Sequence, residues 1–530
     1  MAEQRHAHCC PGCGCEGNES TAASRREFLG GVGVGAMGLA ALGGTMLHGV
    51  TWAQLSDGNG GDTAAIPMPP PRRALKVLPV FLYDQPSYRP QTSWRNWGGV
   101  QTPESAENEK SAIQADMETI RTTADFPVEF MPLVSGGDVN TIVTPEAAEA
   151  ADMILCWPAG GNLHGIEKFN KPTVMFIRHQ SGPLSLWYEI VSPRYLRQHT
   201  DQAAFPHIRD EDVVVDDMDS LMWRLRSLCG LVNTWGTKIL CVGGPDAWSQ
   251  DAAATAEKVK EIFRFELETI SYDEIDRLVK EADADPEAGE MAKRRAAEYQ
   301  AIPDTKLGTP DTTRFDPSTI ERCFLLDMVF RKLMVKAGCS AITINACMGT
   351  IMQVSKTTAC LALSTLNDDG WLAFCESDFI VIPSGVLMAK ITGKPVFLND
   401  PTYPHHGIIT LAHCTAPRKL DGVNYDPVSI TTHFESDFGS APKVDMQIGR
   451  MTTNIAPDFG FKRWVGLLGE IVATPLLPIC RSQIDIRFTC DSQQLAERMP
   501  GFHWMTCYDD CSRELGYALR RTPIEWDFMN

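Results

Sequence analysis

"CESDFIVIPSGVLMAKITGKPVFLNDPTYPHHGIITLAHC", residues 375–414, is where the sequence changes character. Before it, apolar strand-like runs alternate with helical stretches; after it, short strand-like runs follow one another with turns between them. Inside it, a helix-like run ("SGVLMAKITGKP") leads to a strand ("VFLND"), a Pro-His-His-Gly turn and a second strand ("GIITLAH"). The same stretch gathers Glu376, Asp378, Asp400, His405, His406 and His413, so three of the chain's 12 histidines fall within it. Carboxylates and imidazoles spaced by apolar strands are the ingredients of a metal centre. His405 and His406, next to Pro404, read as an exposed turn, with substrate contact as the alternative.

Upstream, "LKVLPVFLY" (75–83), "AADMILCWPAGG" (150–161) and "KPTVMFIRHQSG" (171–182) read as buried strands ending in turns, and "TPEAAEAA" as a capped helix start. A second set begins near 219. There the helix "DSLMWRLRSLCGLVNTW" precedes the strand "TKILCVGGPDAW", and the helices "DEIDRLVKEADAD", "EAGEMAKRRAAEYQ" and "TIERCFLLDMVFRKLMVKAG" precede the strand "SAITINACMG". Strands alternating with helices predict α/β units with doubly wound parallel sheets. Their glycine turns lack both G-x-G-x-x-G and a P-loop lysine, so nucleotide binding is unsupported. Downstream, "FIVIPS", "KPVFLND", "GIITLAHC", "PVSITTHF", "KVDMQIGRMTTN" and "ICRSQIDIRFTC" predict a β-rich, mostly antiparallel sheet or barrel, closed by the helix "CSRELGYALRR". The expected organisation is an N-terminal α/β domain over 74–228, a central α/β domain over 229–368 and a C-terminal β-rich domain over 369–530. No internal repeat and no later membrane span is found.

A chain of 530 residues is too long for one core. Its formal charge of −19, without a Lys/Arg cluster, argues against nucleic acid and anionic membrane surfaces and for a small-molecule partner. Residues 1–53 read as a twin-arginine export signal. Arg25 and Arg26 precede Phe28 and Leu29, then a Gly/Ala-rich run too short to span a bilayer. Thr51 and Ala53 suit a cleavage site, which places the mature start near Gln54, with a Gly/Pro-rich linker over 54–73. An extracytoplasmic, periplasmic location follows, with no stable membrane anchor after processing. Of 17 cysteines, the four in "CCPGCGC" (9–15) fall in the signal, where they resemble a metal-binding tract. The rest sit singly in apolar runs and read as buried thiols without an essential disulfide.

The order of these motifs resembles the L-fucose isomerase and L-arabinose isomerase family. "NDDGWLAFCESD" (367–378) supplies an E-x-D motif at the head of the C-terminal region, "FLNDPTY" a carboxylate closing a strand, "LAHC" a histidine after an apolar strand, and "MPGFHWMTCYDD" a histidine before the last helix. The resemblance implies Glu376 and Asp400 as metal ligands and proton carriers, and His413 and His503 as further ligands. It also implies aldose–ketose isomerisation of a sugar or polyol, and a homo-oligomer. Two departures are visible. Asn399 stands where arabinose isomerases have a glutamate, and Phe502 where they often have a second histidine.

The residue chemistry agrees with that implication. Two carboxylates with one or two neutral imidazoles suit a divalent transition metal with open positions, Mn²⁺ being the natural choice. A metal can steady an enediolate while carboxylates move the proton. Asp378 reads as a support to the ligands or a helix cap. His164, His179, His207 and His433 lack carboxylate company and stay unassigned. The alternatives are an epimerase or lyase using the same metal site, and a non-catalytic periplasmic sugar-binding protein with two α/β lobes.

Overall fold

The computed structural model describes residues 45–47, 49–56, 66–95, 100–178, 193–198, 200–312 and 314–529. The arginine pair and the cysteine-rich tract expected to form the export signal lie outside these residues. From Gly43 onward the chain packs as one compact unit.

A short strand, β1 (Thr45–Met46), is followed by the first parallel sheet: β2 (Leu75–Leu82), β3 (Val128–Phe130), β4 (Val134–Gly136), β5 (Met153–Pro158), β6 (Thr173–Ile177) and β7 (Val213–Val215). Its order is β3-β2-β5-β6-β7, with β4 also along β2. Every residue of β5 and all but Lys76 of β2 are buried, the continuous apolar pattern of strands covered on both faces. Thr144 caps the helix Pro145–Ala150 by accepting from the Ala147 amide at 3.2 Å.

The second parallel sheet holds β8 (Lys238–Val242) and β9 (Glu266–Ile270). β10 (Thr305–Leu307) leaves it for another partner, and β11 (Ala341–Ile344) and β12 (Leu372–Cys375) complete the order β1-β9-β8-β11-β12. The expected processing point at Ala53–Gln54 lies inside the helix Trp52–Ser56, which packs on this region. Trp52 is buried there, its indole N–H donating to Asp285 at 2.7 Å.

The C-terminal region is antiparallel, as its alternating runs imply. β13 (Phe397–Pro401) and β14 (Ile408–His413) form a hairpin. β15 (Val428–His433) and β16 (Phe438–Val444) form another, which takes β10 along its flank. β17 (Met451–Pro457), β18 (Arg463–Ala473), β19 (Ser482–Arg487) and β20 (Trp504–Tyr508) join the first hairpin in a closed six-stranded barrel, β17-β20-β13-β14-β19-β18 and back to β17. Closure leaves the ring no free edge. β21 (Glu525–Met529) runs parallel along the first half of β18, and β19 follows the second half. The barrel buries Ile409, Leu411, Val465, Ile484, Ile486 and Trp504.

One strand expectation fails. "FIVIPS" is a buried turn running into the helix Ile382–Thr392. Pro383 sits in the first helical turn, where its missing N–H removes no helical bond, so the helix starts inside the apolar run. This helix lies close against Met218–Thr234 at Gly230, where an added Cβ would come within 2.7 Å of the Ile391 Cα. Glycine is what permits that approach, and it ties the first α/β region to the element that follows the E-x-D motif.

Among the described residues the thirteen cysteines are all free thiols, and no helix is long and apolar enough to cross a membrane. At the end of the helix Cys360–Asp368, the Asp368 carboxyl is buried, with Oδ1 accepting the Lys419 amide at 2.8 Å. Burial pushes its pKa up to about 7. The unfolded chain holds this proton less tightly, so stability is fullest below about pH 4 and falls as pH rises to about 7, where the loss levels off. Asp368→Asn, which removes the charge and keeps the acceptor, should therefore raise the melting temperature at about pH 8 far more than at about pH 4. Thermal unfolding at both pH values checks this, and an equal gain at both would refute it.

Candidate metal centre

The E-x-D motif sits at the carboxyl end of β12, the edge of a parallel sheet where ligands bind. Glu376 and Ser377 both adopt left-handed backbone, with φ 63° and 48°, which non-glycine residues occupy at a cost of about 1–3 kcal/mol each. The turn is held by the segment after β8. The Asp246 amide donates to the Ser377 carbonyl at 3.1 Å, and the Phe379 amide donates to the Asp246 carbonyl at 3.0 Å.

The barrel delivers the other ligands. Antiparallel pairing of Asn399 with Trp504 places Asp400 opposite His503, and β14 ends on His413 beside them. His503 Nε2 lies 3.3 Å from Glu376 Oε2 and 3.2 Å from Asp400 Oδ1, while His413 Nε2 lies 3.9 Å from Glu376 Oε1. One donor atom from each of Glu376, His413 and His503 falls within 4.8 Å of the others. Both Nε2 atoms are buried without a hydrogen-bond partner among the described residues. Two buried imidazole nitrogens converging on carboxylate oxygens fit a metal ion, and the mixed N/O donor set fits a divalent one.

Each imidazole has its other nitrogen engaged. His503 Nδ1–H donates to Asp378 Oδ2 at 2.7 Å, and His413 Nδ1 is 3.0 Å from the Thr415 hydroxyl. Asp378 Oδ1 accepts the amides of Trp248 at 3.2 Å and Ile380 at 3.0 Å, so this carboxylate both supports a ligand and caps the turn. Burial opposes charge on His503, but Asp378, Glu376 and Asp400 outweigh it and raise its pKa well above the usual imidazole range. Burial, with repulsion from Asp378 and Glu376, likewise raises the Asp246 carboxyl.

His405 and His406 are exposed in a tight hairpin, where His406 and Gly407 take φ 52° and 73°, the pair of positive values such a two-residue turn requires. They stand apart from the ligands. Asn399 is buried, donating to Thr506 at 2.9 Å within a polar ladder that continues to Asn454, so its amide braces the strands. Phe502 stacks on Trp248 at 3.9 Å beside His503. Behind β14, Cys414 packs with Cys360, Cys480 and Ala412, and the neighbouring thiols of Cys360 and Cys480 hold its pKa well below the usual thiol range. Sequence reading missed Asp246 and Trp248; "GGPDAW" directly after β8, at the carboxyl edge of a parallel sheet, carried the signal.

The chain matches no protein-family model and no curated protein.

In Asp378→Asn the amide keeps the shape but presents an N–H₂ or a weaker acceptor to His503 Nδ1, disturbing the tautomer that leaves Nε2 free. Loss of such a support costs about 10–100-fold in metal affinity. Competition of apo-protein against a chromophoric chelator measures it, and unchanged affinity would remove Asp378 from the centre.

Proposed function

We propose that this chain is a metal-dependent isomerase that moves a hydrogen between adjacent carbons of a small sugar or sugar derivative through an enediolate. The observation that supports this reading is a division of labour by depth. The imidazole side chains of His413 and His503 are 3% and 0% exposed, whereas Glu376 and Asp400 are 25% and 17% exposed. The floor can hold a cation, and the mouth can touch a substrate.

A bound divalent metal would supply the positive charge that steadies the enediolate oxygens. The chain's own groups do the rest. One of the two mouth carboxylates takes the proton from the hydroxyl-bearing carbon, the other, protonated, gives one to the neighbouring carbonyl carbon, and the proton of the hydroxyl passes to the former carbonyl oxygen, so that both hydrogens balance. Asp378 holds the His503 ring so that Nε2 faces inward. The stacked Trp248 and Phe502 rings shield that side of His503 from water. The same arrangement would serve a lyase, for which Asp246, with its raised pKa, offers an acid to protonate a departing hydroxyl. Action outside the cytoplasm is part of the proposal and rests on the paired Arg25 and Arg26.

Glu376→Gln keeps the side-chain shape but cannot carry a proton, and acid–base help of this kind is worth about 10²–10⁴-fold. Exchange of the substrate C2 hydrogen with solvent, over a panel of free aldoses, should fall by at least that range in Glu376→Gln and in Asp400→Asn. His405→Ala should stay near the parent rate. Unimpaired exchange in Glu376→Gln would exclude the mechanism, and a metal-loaded parent that exchanges none of the aldoses would favour the lyase or non-catalytic alternatives.

A further inference from the structure

A second concavity lies at the other end of the parallel strands. The metal centre sits where β12 ends, whereas a cavity of about 810 Å³ opens where strands of both parallel sheets begin. Arg73 precedes β2, Lys171 precedes β6 and Arg264 precedes β9. The volume suits a small organic ligand. Its charge runs against that of the chain. Arg73, Lys171, Arg264 and Arg521 line it against only two carboxylates, Asp152 and Glu167, in a protein of net charge −19.

Both carboxylates are engaged. Asp152 receives two hydrogen bonds from Arg73, at 2.7 and 2.9 Å, and Glu167 accepts from the Tyr195 hydroxyl at 3.2 Å and the Gly165 amide at 3.0 Å. Lys171 is used too, donating to the helix-end carbonyls of Glu149 and Ala151, as cations do at helix C-termini. Two guanidiniums keep capacity. Arg264 has no carboxylate within ion-pair distance among the described residues, and its guanidinium lies 5.2 Å from the Trp235 ring centre. Arg521 bonds the Tyr517 carbonyl at 2.8 Å and Asp212 at 3.2 Å, yet its Nε is buried without a partner on a side chain only 8% exposed. The Tyr517 carbonyl and the Asp212 carboxylate account for Nη1 and Nη2 of Arg521 and leave Nε unexplained.

Planar guanidiniums match phosphate oxygens, and Trp235 and Phe205 offer apolar faces for an organic ring. We propose that this cavity binds a small phosphate ester, a phosphate carried on an organic ring, at a site separate from the metal centre and independent of its chemistry.

Calorimetric titration of the intact, metal-loaded protein with inorganic phosphate, a hexose phosphate and a nucleoside monophosphate tests this. Tryptophan emission, compared with that of Trp235→Phe, provides the second readout. Saturable binding of at least one ester, tighter than inorganic phosphate, is expected. Arg264→Glu, at an exposed position, should weaken it by at least about tenfold, while Glu376→Gln leaves it unchanged. No saturable binding of any probe into the millimolar range would overturn the proposal. So would equal affinity for phosphate and the esters, or affinity undiminished in Arg264→Glu and Arg521→Lys.

Discussion

The Asp378 carboxylate is the contact on which the site depends. One oxygen holds His503, which leads into barrel strand β20, and the other takes amides from Trp248 after β8 and from Ile380 in its own turn. Three segments far apart in sequence thus converge on one buried group. An ionised carboxylate is costly to bury unless hydrogen bonds meet it, and here donors from two sheets meet it together. The barrel and the second parallel sheet cannot slide past one another without stranding that charge. The ligand geometry is therefore fixed by the same bond that fixes the domain junction.

The left-handed turn at Glu376 and Ser377 follows from this junction. Two strained residues in succession persist only where surroundings over-determine them. Ser377 is fully buried, and its carbonyl is held by Asp246. The conformation swings Glu376 out of line with β12 toward the barrel-borne histidines. Strain stored in the sheet edge is thereby exchanged for a ligand atom that a straight strand could not deliver.

Much of this was legible in the sequence because burial writes itself as period. The unbroken apolar runs of β2, β5 and β8 marked parallel strands, and the alternating runs after residue 396 marked the antiparallel barrel. Glu376, Asp400 and His413 stood out because histidine beside carboxylate on apolar strands is chemically unusual, whereas His503 was reached only through the resemblance in motif order. "FIVIPS" misled because a short apolar run with three β-branched residues looks alike in a buried strand and a buried turn; only Pro383 hinted at the helix. Asp246 and Trp248 were passed over because their roles arise through backbone amides and a contact to Asp378, so that only the place of "GGPDAW" after β8 marked them. The cavity at the strand beginnings was invisible for a related reason: its three arginines come from segments far apart in sequence and meet only in three dimensions.

Side-chain alternation along β14 sets one more limit on how this chain can change. His413 faces the candidate metal centre, while Ala412 and Cys414 pack on the opposite side in a thiol-rich core cluster. Strand faces exchange with every single-residue step. A one-residue deletion in the hairpin ahead of β14 would draw Cys414 into the place of His413, so that a sulfur would stand where a nitrogen had been. Thiolate draws a softer class of metal than imidazole. Loop length in this hairpin is thus coupled to the donor set, and because the same step would carry Ile409 and Leu411 out of the barrel core, an odd change in length would cost the fold together with the imidazole.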